Sequence, residues 1–229
     1  GDFTEAALPM VCGHEGSAVV EAVGPGVRGL EGGDHVAASF IPSCGRCPSC
    51  AEGMQYLCDN GEEIQRGKPR HKGPTGMVRA MSGIGTFSEY SVVHENSIVK
   101  VGDWYPLDAV AITSCGVATG WGSAVNVAGV KAGDTVVVIG TGGIGINAVQ
   151  GAAMAGAANV IAVDPVEMKR EFAQTVGATH AVASIEEAGP LVQDLSWGRG
   201  ANAVLLTVGD ATSDLFAPAM ALVGKAGNL

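Results

Sequence analysis

Thr113–Gly145 reads TSCGVATGWGSAVNVAGVKAGDTVVVIGTGGIG, and the fold turns on its second half. Thr135–Ile139 is a short run of β-branched residues that opens onto Gly140-Thr141-Gly142-Gly143-Ile144-Gly145, a G-x-G-x-x-G pattern. That pattern carries little weight alone, but here a strand precedes it, a helix follows, and Asp164 stands 24 residues past Gly140 at the end of the next strand. Gly140 permits a tight turn, Gly142 admits a pyrophosphate close to the backbone, and Gly145 lets helix and strand pack closely. Gly140, Gly142, Gly143 and Gly145 are therefore candidates for binding a dinucleotide. The N–H groups and positive dipole end of the helix would face its phosphates. Asp164 would hydrogen-bond the adenosine ribose and repel a 2′-phosphate, which favours NAD over NADP.

Outward from this stretch, strand and helix alternate. The predicted elements are a helix over 144–157, a strand over 160–163, a helix over 167–176, strands over 180–183 and 203–208, and a last helix before the end. Such alternation implies an α/β fold with a parallel sheet and right-handed crossovers. Upstream, strands are predicted over 17–23, 34–39, 87–93 and 97–100, separated by turns such as Gly24-Pro25-Gly26, as in a small barrel or sandwich. Residues 62–85 read as a polar loop, and a helical period begins near Leu107 and returns over 120–127. The domains expected are 1–115, with a cysteine-rich lobe at 44–58, and 116–229. The formal net charge of −10 argues against nucleic acid or an anionic membrane as the main partner. No apolar run is long enough for a transmembrane helix. The first residue is glycine and the chain stops at Gly227-Asn228-Leu229, so the sequence reads as a piece of a longer parent lacking both termini.

Cys44, Cys47, Cys50 and Cys58 form C-x2-C-x2-C-x7-C. Cys-x2-Cys turns aim sulfurs at a common point, and four thiolates complete the tetrahedron of a closed structural zinc site. Iron–sulfur ligation is the nearest rival, but its fourth spacing is three residues followed by proline; disulfides are the second. His14 before Glu15, and the lone Cys115, are each weak on their own. A histidine in a loop is usually satisfied there, and a single cysteine reads first as a small apolar residue. Cys12 reads as core or turn packing, and His35, His71, His94 and His180 as surface or loop residues.

Taken in order, GHEGSAVVEAVG from Gly13, CGRCPSCAEGMQYLC from Cys44, SCGVATGWGSAV from Ser114, GDTVVVIGTGGIG from Gly133 and VIAVD from Val160 resemble the zinc-dependent medium-chain alcohol dehydrogenases. Within them, TGWGSAV, GGIGINAVQGA and VDPVEMKREFA are most similar to NDMA-dependent (nicotinoprotein) and thiol-adduct formaldehyde dehydrogenases. The resemblance implies a partial GroES-like β-barrel catalytic domain followed by a Rossmann doubly wound sheet. It also implies two zinc ions, one structural and one catalytic, with NAD as cofactor. His14 and Cys115 match two ligands of the catalytic zinc, and Glu15 the adjacent acidic residue. Cys115 also argues against the related polyol dehydrogenases, which carry glutamate there. Phe40 falls where the family lines its substrate cleft, Thr119 beside the nicotinamide, Ile144 behind its ring, and Lys169 at the adenosine ribose. A further cysteine ligand and the residues of the proton relay lie upstream of Gly1 in that family.

The implied activity is exchange of hydride between a primary alcohol or aldehyde and NAD, with zinc as Lewis acid. The implied partner is a small-molecule substrate, and the parent is expected to be a cytoplasmic homo-oligomer. An S-(hydroxymethyl)thiol (formaldehyde) dehydrogenase, a non-catalytic NAD-binding redox sensor and a zinc-free reductase are the alternatives.

Overall fold

The computed structural model describes residues 8–66, 70–74 and 76–229. The backbone divides into two compact units, Gly1–Cys115 and Gly116–Leu229.

The first unit is built from short strands because turn residues interrupt every apolar run. β1 (Met10–Val11), β2 (Ser17–Val19) and β3 (His35–Ala38) precede the cysteine lobe with its short helix α1 (Pro48–Ala51). Then come α2 (Gly61–Arg66), β4 (His71–Gly73), β5 (Gly76–Ala80), β6 (Ile98–Lys100) and α3 (Leu107–Ile112). One three-stranded sheet has the order β2-β3-β6, antiparallel throughout; the other has the order β1-β5-β4. Two sequence expectations fail here. Residues 87–93 form no strand, since the hydroxyls of Ser88 and Ser91 bond back to the carbonyls of Gly85 and Ile84 at 2.8 and 2.6 Å. Such local bonds offer the backbone an alternative to a ladder. Residues 62–85 are not a plain loop: α2 and the β4–β5 hairpin lie within them, and 67–69 and 75 fall outside the described residues. The polarity that suggested a loop instead stabilises α2, with Glu62 and Glu63 in its first turn and a Glu62–Arg66 pair at 2.6 Å. His35, His71 and His180 also depart from expectation, lying half-buried on strands. Cys12 is half-buried and its carbonyl accepts from the Phe87 amide, a packing role.

The second unit opens on a π-helical turn, Thr113–Val117, that begins in the first, then α4 (Ala118–Gly122) and a second π-helical turn, Ser123–Val127. Next come β7 (Thr135–Ile139), α5 (Gly143–Met154), β8 (Asn159–Val163), α6 (Glu167–Thr175), β9 (His180–Val182), α7 (Ile185–Leu195), β10 (Ala201–Leu206), α8 (Ser213–Leu222) and β11 (Val223–Asn228). The parallel sheet has the order β11-β10-β7-β8-β9. β7 is buried along its whole length, as a central parallel strand covered on both faces must be. Its side chains alternate between two cores. Val136 and Val138 pack with Ala148, Val149 and Ala152 of α5 and Ala173 of α6. Val137 and Ile139 pack with Ala188 and Val192 of α7 and Ala219 and Leu222 of α8. The chain steps outward from β7 to β8 and β9, then returns across the sheet to β10. The order therefore reverses between β7 and β10, the place where open α/β sheets form a ligand crevice.

Candidate functional site

The glycine turn sits at that reversal. Gly140 has φ +86°, a conformation that favours glycine, and its amide donates to Val163 at 2.7 Å. A Cβ on Gly145 would lie 1.8 Å from the Gly140 carbonyl oxygen, so the helix start touches the strand end backbone to backbone. Gly142 and Gly143 are different: a Cβ on either meets nothing within 4 Å. Gly142 caps α5 without a side-chain hydrogen bond, and no acidic residue stands in the first turn. The first N–H groups of α5 have no intrahelical acceptor and face a space that a methyl would begin to fill. This combination fits a pyrophosphate.

Thr207, which the sequence reading did not single out, locks the turn from β10's side. Its hydroxyl reaches the Gly140 carbonyl at 2.6 Å and the Ile139 carbonyl at 3.1 Å, and its amide donates to Ile139. Nothing in its local sequence marks it, because the contact spans 67 residues. Gly120 of α4 lies against α5, where a Cβ would come 2.1 Å from the Ile144 carbonyl oxygen. Thr119, next to Gly120, and Ile144 are both exposed.

Asp164 follows β8 and is 3% exposed. Its Oδ2 accepts from the Thr141 amide and its Oδ1 from the Val166 amide, each at 2.9 Å. Burial pushes this carboxyl up, but those amides and the charge of Lys169 outweigh it, so the group is held below its ordinary value. Lys169 Nζ stands 3.8 Å from Oδ2. One carboxylate thus ties the end of β8 to the glycine turn and keeps lone pairs to spare, since each oxygen carries two.

In the first unit the four lobe cysteines converge. Their sulfurs all lie within 4.8 Å of one another, and no disulfide joins them. Cys47 caps α1 with Pro48 at its first position, and Ser49 clamps Asp59 across the loop at 2.7 Å. Polar hydrogens point at sulfur: Cys44 N–H to Cys58 Sγ, Asp59 N–H to Cys47 Sγ, and the Asn60 amide to Cys44 Sγ. The Arg46 amide and Asn60 pull the Cys44 thiol down to about 6. Burial pushes the Cys50 thiol up to about 12. Four sulfurs around zinc at about 2.3 Å sit a little under 4 Å apart. The lobe fits that ion, and no ligand position is left open for chemistry.

His14 and Cys115 come from distant stretches. Ser114 Oγ donates to the Gly16 carbonyl at 3.2 Å and Ser17 Oγ to the Leu107 carbonyl at 2.5 Å, which seats the segment after His14 along α3. Thr86 and Phe87 hold the other side, their amides donating to Gly13 and Cys12. A Cβ on Gly13, at φ +94°, or on Gly16 would fall 2.5 or 2.6 Å from the Thr86 side chain, a neighbourhood that the sequence does not announce. The His14 ring packs edge-on against Phe40 with centroids 5.5 Å apart. Glu15 is half-buried. Among the described residues the lobe cysteines are the one group of three or more His, Cys, Asp or Glu side chains that could hold a metal. His14, Glu15 and Cys115 do not close such a set.

Residues 1–103 match the alcohol dehydrogenase GroES-like domain family, and residues 143–229 the zinc-binding dehydrogenase family. The chain is 52% identical over 228 residues to an NDMA-dependent alcohol dehydrogenase of Amycolatopsis methanolica, covering 97% of this chain and 61% of that protein. It is 38% identical to an S-(hydroxymethyl)glutathione dehydrogenase of Saccharomyces cerevisiae, over 82% of this chain and 50% of that protein. Among solved structures, an alcohol dehydrogenase zinc-binding domain protein from Burkholderia ambifaria superposes with a TM-score of 0.84 at 32% identity. That match covers 96% of this chain and 61% of that one. The chain thus spans roughly three-fifths of the length of the Amycolatopsis relative.

Proposed function

The chain belongs to the zinc-dependent medium-chain alcohol dehydrogenase family, and on that premise we propose that its protein exchanges hydride between a primary alcohol or aldehyde and NAD. The observation that carries this reading is the open cradle at Gly142 and Gly143, set where the sheet order reverses. When bound, a catalytic zinc supplies Lewis-acid polarisation of the substrate oxygen, and NAD supplies the hydride acceptor.

The chain's own residues bind and orient. Gly140, Gly142, Gly143, Ile144 and Gly145 would hold the pyrophosphate and the back of the nicotinamide, with Thr119 beside it in this Rossmann half, residues 116–229. Asp164 and Lys169 would hold the adenosine ribose, where the carboxylate disfavours a 2′-phosphate. In the catalytic half, residues 1–115, His14 and Cys115 would offer an imidazole and a thiolate to the metal. Glu15 would stand next to them and Phe40 would line the substrate side. Cys44, Cys47, Cys50 and Cys58 would hold the structural zinc. A small substrate fits the acidic charge balance, and among the described residues no helix is long and apolar enough to cross a membrane. A cytoplasmic homo-oligomer completes the reading.

The test is Cys115→Ser in the complete protein. It should lose one zinc per chain and most alcohol oxidation while retaining NAD; full activity with both zinc ions would overturn the assignment. The likeness to an S-(hydroxymethyl)glutathione dehydrogenase supports a second reading, oxidation of a formaldehyde–thiol adduct. Turnover of formaldehyde that depends on added thiol would select it. NAD retained through dialysis, with an artificial electron acceptor required for turnover, would select the nicotinoprotein mode.

A further inference from the structure

Arg170 stands one residue past Lys169, in the first half of α6. Its Nη1 donates to two carbonyls in succession, Asp164 at 2.8 Å and Pro165 at 2.9 Å. Those carbonyls belong to the turn whose other groups are already engaged, because the Asp164 side chain accepts from Thr141 and Val166. The main chain of residue 164 is thus gripped by Arg170 while its side chain grips the glycine turn. The remaining backbone anchors agree: the amides of Lys169 and Arg170 both return to the Val166 carbonyl.

We infer that Arg170 is a positioning residue for the adenosine end of the dinucleotide site. It acts by fixing the Asp164–Val166 turn, and through it the direction of the Asp164 carboxylate, before ligand arrives. A guanidinium suits the task, since it stays charged at any working pH and its planar N–H groups can serve two carbonyls. Without it, the turn would have to be ordered during binding, and that ordering subtracts from affinity. The inference rests on the reading of Gly140–Gly145 and Asp164 as an NAD site.

The test measures binding of NAD, ADP-ribose and nicotinamide mononucleotide by calorimetry to the wild-type protein freed of endogenous nucleotide, and to Arg170→Met and Arg170→Lys. Hydrogen bonds from a charged donor set the scale, so Arg170→Met should weaken NAD and ADP-ribose alike by about ten-fold. Nicotinamide mononucleotide, which lacks the adenosine end, should bind as before. Arg170→Lys, which keeps a charged donor but not the planar fork, should recover part of the loss. Unchanged ADP-ribose affinity in Arg170→Met overturns the inference while leaving the NAD site intact. So does an equal loss for all three ligands together with a fall in melting temperature, because that is general destabilisation. Failure of the wild-type protein to bind ADP-ribose overturns the NAD-site reading itself.

Discussion

Gly145→Ala and Gly142→Ala add the same methyl three residues apart and should have opposite consequences. At Gly145 the new carbon falls 1.8 Å from the Gly140 carbonyl oxygen, 2.6 Å from Thr207 Oγ1 and 2.9 Å from the Gly140 carbonyl carbon. Two of these are backbone atoms at the end of a central strand, so relief requires moving α5 away from β7 by about 1.5 Å. Overpacking of this kind costs about 3 kcal/mol, at the upper end of its usual range. Alanine's better helix propensity returns about 1 kcal/mol. The net of about 2 kcal/mol corresponds to a melting temperature lower by roughly 8 °C for a unit of this size. At Gly142 the backbone φ is −72° and the methyl meets nothing, so the fold should hold to within about 1 kcal/mol. On the proposed reading the methyl would enter the space of the pyrophosphate, and NAD affinity should fall about ten-fold. Thermal melts by circular dichroism and NAD titrations of both variants read the two effects separately. If Gly145→Ala melts within 2 °C of wild type, or Gly142→Ala binds NAD as tightly as wild type, the division of labour between these glycines is wrong, where 2 °C is about 0.5 kcal/mol.

Three further outcomes follow from the same geometry. Cys50→Ser should remove one zinc per chain, read by metal analysis, and make the lobe sensitive to protease, since structural zinc contributes folding free energy directly. The Cys50 thiol, pushed up to about 12 by burial, carries its proton in the metal-free lobe at neutral pH and must release it to ligate. Zinc affinity should therefore rise with pH across the neutral range, and a flat profile in competition with a chelator would contradict this. The Asp164 carboxyl is held below its ordinary value of 3.8, so its contribution to stability is present above that pH and is lost as pH falls through the lower folded-state value. Asp164→Asn should accordingly lower the melting temperature at pH 7 and shrink the difference from wild type under strongly acid conditions; an equal difference at both would refute the link.

Much of the second unit was legible because its signals are local. The TVVVI run gives a buried strand, the glycines give the turn, and Asp164 falls at the end of the next strand, as the fingerprint requires. The cysteine spacing likewise carried its own geometry. What escaped is instructive. The helix α7 is not among the expected elements, and Pro190 stands inside it. Ser184 caps its start and Ala188 and Val192 anchor it to the sheet. Residues 87–93 have the composition of a strand, but their serines turn the chain locally and Phe87 and Tyr90 stay exposed. The π-helical turn over Thr113–Val117 leaves no trace in composition, although it carries Cys115. Such turns often mark functional positions, because a wider turn re-aims a side chain within a helix. Thr86 and Thr207 act on segments that only the fold brings to them, and Arg170 acts on the turn just before its own helix.

These unpredicted residues share a physical role. Each holds main-chain atoms: the Thr207 side chain the carbonyls of Ile139 and Gly140, the Arg170 side chain those of Asp164 and Pro165, and the Thr86 amide the carbonyl of Gly13. The glycines complete the same scheme by letting backbone meet backbone, as Gly145 does with Gly140 and Gly120 does with Ile144. A phosphate is recognised chiefly through N–H groups, and their directions are set by backbone alone. Precision in such a site therefore has to be imposed on the main chain, by close contact where glycine allows it and by hydrogen bonds to carbonyls where it does not. This explains why the glycines point to the proposed site while their supports stay hidden in sequence. A glycine's reason for being present is written in its own turn, whereas a threonine or arginine that grips a carbonyl far along the chain, or one whose neighbourhood depends on a packed turn, looks in sequence like any other polar residue.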